Sequence, residues 1–155
     1  MMLHTLHRIQ RAPISIEKAW DFLSSPHNLK VITPDYMGFH ITSEFLPEKM
    51  YAGLIISYIV RPVMKLPIQW VTEITHVHEP HYFVDEQRFG PYAFWHHKHF
   101  LREIDGGVEM EDLVHYKLPF GVLGRTVNAV MVKRQLKEIF DYRYKKIESL
   151  FGVMG

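Results

Sequence analysis

The chain has 155 residues, of which 47% are hydrophobic and 14% aromatic, and its 18 Lys and Arg nearly balance its 17 Asp and Glu. This length predicts a single domain over residues 1–155, with a core that folds without a disulfide or a metal. The near-neutral charge argues against a nucleic-acid partner. The absence of cysteine excludes disulfides, cysteine-ligated zinc, iron–sulfur clusters and a cysteine nucleophile.

The sequence shows no targeting signal or membrane-spanning segment. The opening residues, MMLHTLHRIQR, lack the apolar stretch of a secretory signal. No apolar run approaches the roughly 18 residues that a membrane-spanning helix needs. We therefore expect a cytoplasmic protein with no integral membrane segment.

The first part of the chain predicts one strand followed by two short helices. Residues Leu3–Pro13 have the pattern of an extended strand. Ser15 is a suitable N-cap, and apolar residues recur after it at helical spacing. A second helix is predicted at Ser25-Pro26, with proline at its first position, and it ends at Pro34.

Six further strands are predicted after these helices. From residue 37 the period of the apolar residues changes from about 3.6 to 2. The connections are short and contain proline or glycine, which is typical of an antiparallel meander. The predicted strands are Gly38–Phe45, Leu54–Arg61, Ile68–His78, His81–Phe89, Tyr92–Ile104 and Val108–Leu118.

The last predicted element is a helix from about Val122 to Phe151, roughly 45 Å long. Its apolar stripe is predicted to contain Leu123, Val127, Val130, Met131, Ile139, Phe140, Ile147 and Leu150. A sheet with one apolar face must be covered, and this helix is the only predicted element long enough. We therefore predict an α+β fold in which a curved seven-stranded antiparallel sheet wraps around the C-terminal helix, with a binding cavity between them.

Strand alternation predicts which side chains face that cavity. We expect Gly106-Gly107 to form a two-residue turn that pairs His99 with Val114. A connection of three residues centred on Pro91 would place Asp85 beside His97. The polar side chains predicted to face inward are Asp85, Gln87, His97, His99, Asp112 and Tyr116, and the apolar lining is predicted to include Trp70, Phe83, Trp95, Val114 and Met131.

The chain contains 11 histidines, and six of them lie between His76 and His99. Imidazole is the commonest metal ligand and the usual acid–base group near neutral pH, so this cluster is the first functional lead. Alternation divides the cluster, because it turns His96 outward. Three others, His76, His78 and His81, are predicted at the surface near a turn, which leaves His97 and His99 facing inward.

Several short motifs follow one another in a distinctive order along the chain. They are Asp85-Glu86-Gln87, Gly90-Pro91-Tyr92, Trp95-x-His97-x-His99, Asp112-x-Val114-x-Tyr116-x-Leu118-Pro119, Gly121-x-x-Gly124 and the tail Leu136-x-x-Ile139-Phe140-Asp141-Tyr142-Arg143. Together they resemble a bacterial ligand-binding subfamily of the START-like (SRPBCC) superfamily. This resemblance implies the helix-grip fold over the whole chain, and the superfamily includes polyketide cyclases/dehydrases and coenzyme Q-binding START proteins.

The first functional prediction is a binding or carrier protein for an apolar small molecule, such as a lipid, an isoprenoid, a quinone or a polyketide-like ring. The alternative is a cyclase or dehydratase in which His97 or His99 is the general base, Asp85 or Asp112 orients it, and Tyr116 donates a proton. A purely structural alternative is that these side chains form a buried network that holds three strands in register.

We expect no cofactor and assign no metal ligand from the sequence, although His97 and His99 with a carboxylate are retained as the last alternative. The connection Pro62–Pro67 is apolar for a loop. It is predicted to form either a lid over the cavity or a contact in a homodimer.

Overall fold

The computed structural model describes residues 2–119 and 125–155. Its regular elements are β1 His4–Ala12, α1 Ile16–Leu23, β2 His40–Ile41, β3 Ile55–Val60, β4 Ile68–His78, β5 Tyr82–Phe89, β6 Phe94–Ile104, β7 Gly107–Lys117 and α2 Arg125–Phe151. The seven strands form one antiparallel sheet in the order β1-β7-β6-β5-β4-β3-β2. The predicted α+β fold, a curved sheet around a long C-terminal helix, is confirmed.

Helix α1 begins where its sequence predicts. The Oγ of Ser15 accepts a hydrogen bond from the backbone N–H of Lys18 at 3.2 Å, which satisfies one of the free donors at the helix start. The second predicted helix is a single 3₁₀ turn, Pro26–Asn28, and another 3₁₀ turn spans Asp35–Met37. The segment between Pro26 and Pro34 is too short to offset the nucleation of a helix.

Edge strand β2 is much shorter than the predicted strand Gly38–Phe45. It pairs with β3 through only two residues. The backbone N–H of Ser57 then donates to the Oγ of Ser43 at 2.8 Å instead of to a backbone carbonyl. This side-chain hydrogen bond replaces the ladder and ends the pairing.

The hairpin between β6 and β7 closes at Asp105-Gly106 and not at the predicted Gly106-Gly107. Gly106 adopts a φ of +78°, and Gly107 already pairs with Ile104 in the sheet. A Cβ on Gly107 would collide with the backbone carbonyl of Ala12 in β1. The true register therefore differs from the predicted one by two residues, which leaves every side chain on its predicted face.

The buried stripe of α2 also differs from the predicted one. The helix buries Leu136, Phe140 and Ile147, whereas Val130 is 66% exposed and Met131 48% exposed. Leu150 is exposed as well. The buried face repeats at intervals of three and four residues and includes the charged Arg143. Because this residue interrupts the apolar pattern, the sequence did not predict the face correctly. Residues 122–124 of the predicted helix and the side chain of Val127 lie outside the described residues.

The core lies between the sheet and the two helices. One apolar cluster includes Trp20, Ile74 and Ile147, and a second includes Trp95 and Phe140. No helix in the described residues has both the length and the hydropathy of a membrane span.

Candidate functional site

A cavity of about 570 Å³ lies between the sheet and α2. Its volume falls within the range of about 300–1,000 Å³ typical of small-molecule sites. Most of its lining is apolar, and strands β3 to β6, both helices and several connections contribute to it. Of the side chains predicted to line it, the structure places Trp70, Phe83, Asp85, Trp95, His97, His99 and Met131 on the wall.

The other four predicted residues lie behind this lining. The side-chain amide of Gln87 donates to the carbonyl of Tyr92 at 2.7 Å and accepts from its N–H at 3.0 Å, so it fixes the position of a tyrosine that does line the cavity. The ring of Tyr116 stacks on His4 at 5.2 Å between centroids. Asp112 and Val114, like Tyr116, belong to β7 and are not in contact with the cavity.

Strand β5 leaves the core sooner than alternation predicts. Its described pairing with β6 ends at Glu86, and its register against β4 is irregular beyond Gln87. Phe89, which alternation places on the same face as Phe83 and Asp85, is therefore 62% exposed. The predicted pairing of Asp85 with His97 is present.

Two histidines of β6 and one aspartate from each neighbouring strand form a buried cluster at one end of the cavity. The Nε2 of His99 donates to the Oδ2 of Asp85 at 2.6 Å, and the Nε2 of His97 donates to the Oδ1 of Asp112 at 2.8 Å. The two imidazole rings are 3.6 Å apart between centroids. These four side chains meet because β6 presents alternate residues to one face while Asp85 and Asp112 flank it in adjacent register.

Each imidazole faces both carboxylates. The second nitrogen of His97, Nδ1, is 3.4 Å from the Oδ2 of Asp85, and the Nδ1 of His99 is 3.4 Å from the Oδ1 of Asp112. Asp85 lines the cavity and Asp112 does not. One carboxylate therefore lies in front of the two rings and the other behind them.

Three further side chains complete the cluster. The Nη2 of Arg143, from α2, is 3.3 Å from the Oδ1 of Asp112. The indole N–H of Trp95 donates to the Oδ1 of Asp85 at 3.1 Å. The ring of Phe83 stacks on His99 with 4.0 Å between centroids. Arg143 was missed as a site residue, and the signal that identifies it is a lone basic residue on the face of Leu136, Phe140 and Ile147.

The protonation of the cluster follows from its neighbours. Burial opposes ionisation of Asp112, but the Arg143 guanidinium and the two histidines hold its pKa well below the usual range. Burial likewise opposes ionisation of Asp85, yet attraction to His97 and the hydrogen bond from His99 hold its pKa below its ordinary value. Both carboxylates are therefore ionised at neutral pH.

The two imidazoles differ. Burial and repulsion from His99 lower the pKa of His97. Burial also opposes a charge on His99, but its contacts with Asp112 and Asp85 outweigh burial and raise its pKa. When His99 is in its charged imidazolium form, the negative charges of the two carboxylates are balanced by the positive charges of Arg143 and His99, and the net charge of the cluster is zero.

Trp70 adds an unsatisfied donor to the cavity wall. Its indole N–H is buried and has no hydrogen-bond acceptor within the described part of the chain. A buried donor without a partner costs about 1–3 kcal/mol. The nitrogen itself is shielded from the cavity, so a ligand oxygen would supply that acceptor after a rotation of the indole ring.

No protein-family model matches the chain, and no curated protein matches it. Several solved structures, in contrast, match the chain in fold. A START superfamily protein from Mycobacterium smegmatis superposes with a TM-score of 0.70 at 13% identity, over 96% of this chain and 97% of that one. The chain has the START-like fold.

Two other structures agree with this START-like fold. The protein TTHA0849 from Thermus thermophilus has a TM-score of 0.73 at 12% identity, over 94% of this chain and 95% of that one. Protein Ms6760 from Mycobacterium smegmatis has a TM-score of 0.66 at 18% identity, over 94% and 89%. The resemblance inferred from the motifs is confirmed at the level of fold, and a fold does not by itself assign an activity.

Proposed function

We propose that this protein binds one apolar small molecule in the cavity between the sheet and α2. The observation that carries the proposal is a cavity of about 570 Å³ with largely apolar walls, into which Asp85, His97 and His99 bring polar groups. A START-like fold is compatible with small-molecule binding. Burial of apolar ligand surface contributes about 25 cal/mol for each Å², which suits a largely hydrophobic occupant.

The aromatic part of the wall favours a ligand that contains a ring. The Trp70 ring lies 5.3 Å from that of Trp95 and 5.5 Å from that of Tyr92, measured between centroids, with edge-to-face geometry at both contacts. Such surfaces offer flat faces and edges to a planar ligand. Among the predicted classes, this geometry favours a quinone or a polyketide-like ring over a simple acyl chain.

The unsatisfied indole N–H of Trp70 further favours a ligand with a hydrogen-bond acceptor. A ketone or quinone oxygen provides such an acceptor without introducing a donor that would itself need a partner. The proposed occupant is therefore an apolar ring compound that carries at least one carbonyl oxygen.

Acid–base catalysis is the second candidate function. It is favoured by the 2.6 Å contact between His99 and Asp85 on the cavity wall. The proton-donor role predicted for Tyr116 has no support, because that side chain does not reach the cavity. A turnover that His99→Gln abolishes in a folded protein would establish the enzyme, whereas ligand release in unchanged form supports a carrier.

The binding proposal is tested by native mass spectrometry of the purified protein, followed by solvent extraction and identification of the released compound. We expect one bound compound per chain, apolar and carbonyl-bearing. A protein that carries no ligand and takes up none of a panel of quinones, fatty acids and isoprenoids would overturn the proposal.

A further inference from the structure

We infer from the geometry that Asp85, His97 and His99 form a binding site for a divalent transition-metal ion at the polar end of the cavity. Each residue offers one ligand atom, and the three atoms lie within 4.8 Å of one another. All three side chains line the cavity. An ion held there would keep an open coordination position toward the cavity.

The distances between the ligand atoms are close to those around a bound ion. The Oδ2 of Asp85 lies 3.4 Å from the Nδ1 of His97 and 2.6 Å from the Nε2 of His99. Metal–ligand bonds of about 2.0–2.2 Å to nitrogen and oxygen place neighbouring ligand atoms about 3 Å apart. The ligand nitrogens of the two histidines lie within 4.8 Å of each other, so rotamer adjustments that bring these nitrogens together would accommodate the ion.

The side chains behind the three ligands support the inference. Histidines that bind metals usually donate their other ring N–H to a carboxylate, and a ligating carboxylate is itself hydrogen-bonded. Here the Nε2 of His97 and the Nδ1 of His99 face the Oδ1 of Asp112, at 2.8 Å and 3.4 Å. Trp95 donates to the Oδ1 of Asp85, the oxygen that faces away from the proposed ion.

Asp112 is in turn fixed from α2. The guanidinium of Arg143 approaches its Oδ1 at 3.3 Å, and neither group is more than slightly exposed. Each of the three proposed ligands therefore has a polar neighbour on the side away from the ion. This division, with one carboxylate facing the cavity and one behind both imidazoles, is typical of metal centres.

The charge and the ligand types narrow the identity of the ion. Imidazoles are neutral when they ligate a metal, and the two carboxylates and Arg143 then leave a net charge of −1, which favours a cation. Two imidazoles and one carboxylate suit Zn²⁺, Fe²⁺ and related first-row ions, whereas Ca²⁺ and Mg²⁺ prefer oxygen ligands. The ion would also accept an oxygen of the cavity ligand at its open position.

The test uses the untagged full chain, treated with a chelator and then titrated with Zn²⁺ by calorimetry. We expect one Zn²⁺ per chain and, for the folded variants Asp85→Asn and His99→Gln, an affinity lower by more than about 100-fold. The matched control is His96→Gln, since His96 neighbours the site in sequence but faces the other side of β6, where its nearest carboxylate is that of Glu86 at 3.9 Å. That variant should bind as the wild type does.

A second measurement does not depend on the folding of a variant. In NMR spectra of the wild-type protein, Zn²⁺ should shift the ring signals of His97 and His99 and leave those of His78 and His81 unchanged. The latter two are exposed, with centroids 5.5 Å apart, and provide an internal control for surface binding.

The proposal is overturned if the folded wild-type chain binds no Zn²⁺, or if the shifts appear only at His78 and His81. The titration uses Zn²⁺ alone. Its failure would therefore leave the proposed binding of an apolar ligand intact, and a protein without an apolar ligand could still bind the ion.

Discussion

The Nε2 of His99 lies 2.6 Å from the Oδ2 of Asp85, and both side chains reach the wall of the cavity. The two residues are one diagonal step apart on neighbouring strands, because Asp85 stands directly opposite His97. Their contact lies in the polar part of a largely apolar cavity. The acid–base alternative and the metal proposal both depend on this contact.

Substitution of Arg143 is expected to destabilise the protein. Arg143→Gln leaves Asp112 as a buried carboxylate without its guanidinium, and removal of one partner of a buried ion pair costs about 3–5 kcal/mol. Urea unfolding of the metal-free protein measures the loss in free energy of unfolding.

The matched control for that substitution is Lys137→Gln, on the same helix. Lys137 contacts Asp141 at 2.6 Å, but its side chain is 68% exposed, so water screens the pair. A loss of stability as large as that of Arg143→Gln would contradict the distinction between the two sites.

Stability is expected to fall in acid because of Asp112 and Asp85. The folded-state pKa of both carboxyls lies below the ordinary value of 3.8, so their contribution is present above that pH and is lost as pH falls through the folded values. The folded-state pKa of His97 is lowered from 6.5, so its imidazole takes up a proton more readily in the unfolded chain. His97 therefore adds a further loss of folding stability that begins below pH 6.5.

His99 acts in the opposite sense. Its folded pKa is raised above 6.5, so its contribution is complete below pH 6.5 and disappears as pH rises through the folded value. Denaturant midpoints of the chelator-treated protein between pH 3 and pH 8 measure these slopes. Asp112→Asn should flatten the acid slope, and a slope equal to that of the wild type would count against the assignment.

A larger side chain inside the cavity should prevent ligand binding. Val132 lines the cavity on α2, and Val132→Trp would fill part of the volume. We expect the affinity for 1-anilinonaphthalene-8-sulfonate, an aromatic dye that fluoresces in apolar sites, to fall at least about tenfold, as measured by fluorescence titration. Val130→Trp is the control, because Val130 is 66% exposed on the same helix and should leave binding unchanged. Equal losses in both variants would place the dye elsewhere.

The indole N–H of Trp70 should distinguish a carbonyl-bearing ligand from a hydrocarbon. Trp70→Phe removes the unsatisfied donor and keeps an aromatic ring. A net hydrogen bond of about 1 kcal/mol corresponds to about fivefold in affinity. The variant should therefore bind 1,4-naphthoquinone about fivefold more weakly and naphthalene unchanged, as measured by competition with the dye. A parallel loss for both compounds would show that Trp70 acts through its ring alone.

Several features of the fold followed from local sequence patterns. Ser15 predicts the start of α1 because a hydroxyl cap acts over three residues. Alternation along β6 places both His97 and His99 on the inner face, since the period of a strand is 2. The wrong turn assignment at residues 106 and 107 did not disturb this result, because an error of two residues preserves the face.

Other features depended on contacts between distant segments. The sequence placed His99 opposite Val114, whereas the sheet places Asp112 there, and that register was set by the φ of Gly106 and by the approach of Ala12 to Gly107. Sequence patterns also predicted the exposed Val130 on the apolar stripe of α2.

The sequence by itself determined the order of the elements, the single inner face of the sheet and the identity of the inward histidines, because these depend on residues close together in the chain. Only the tertiary structure decided that Asp112 lies behind both imidazoles and that Arg143 reaches Asp112 from α2. Those relationships require strand register and helix docking between segments far apart in the chain, which no local periodicity encodes.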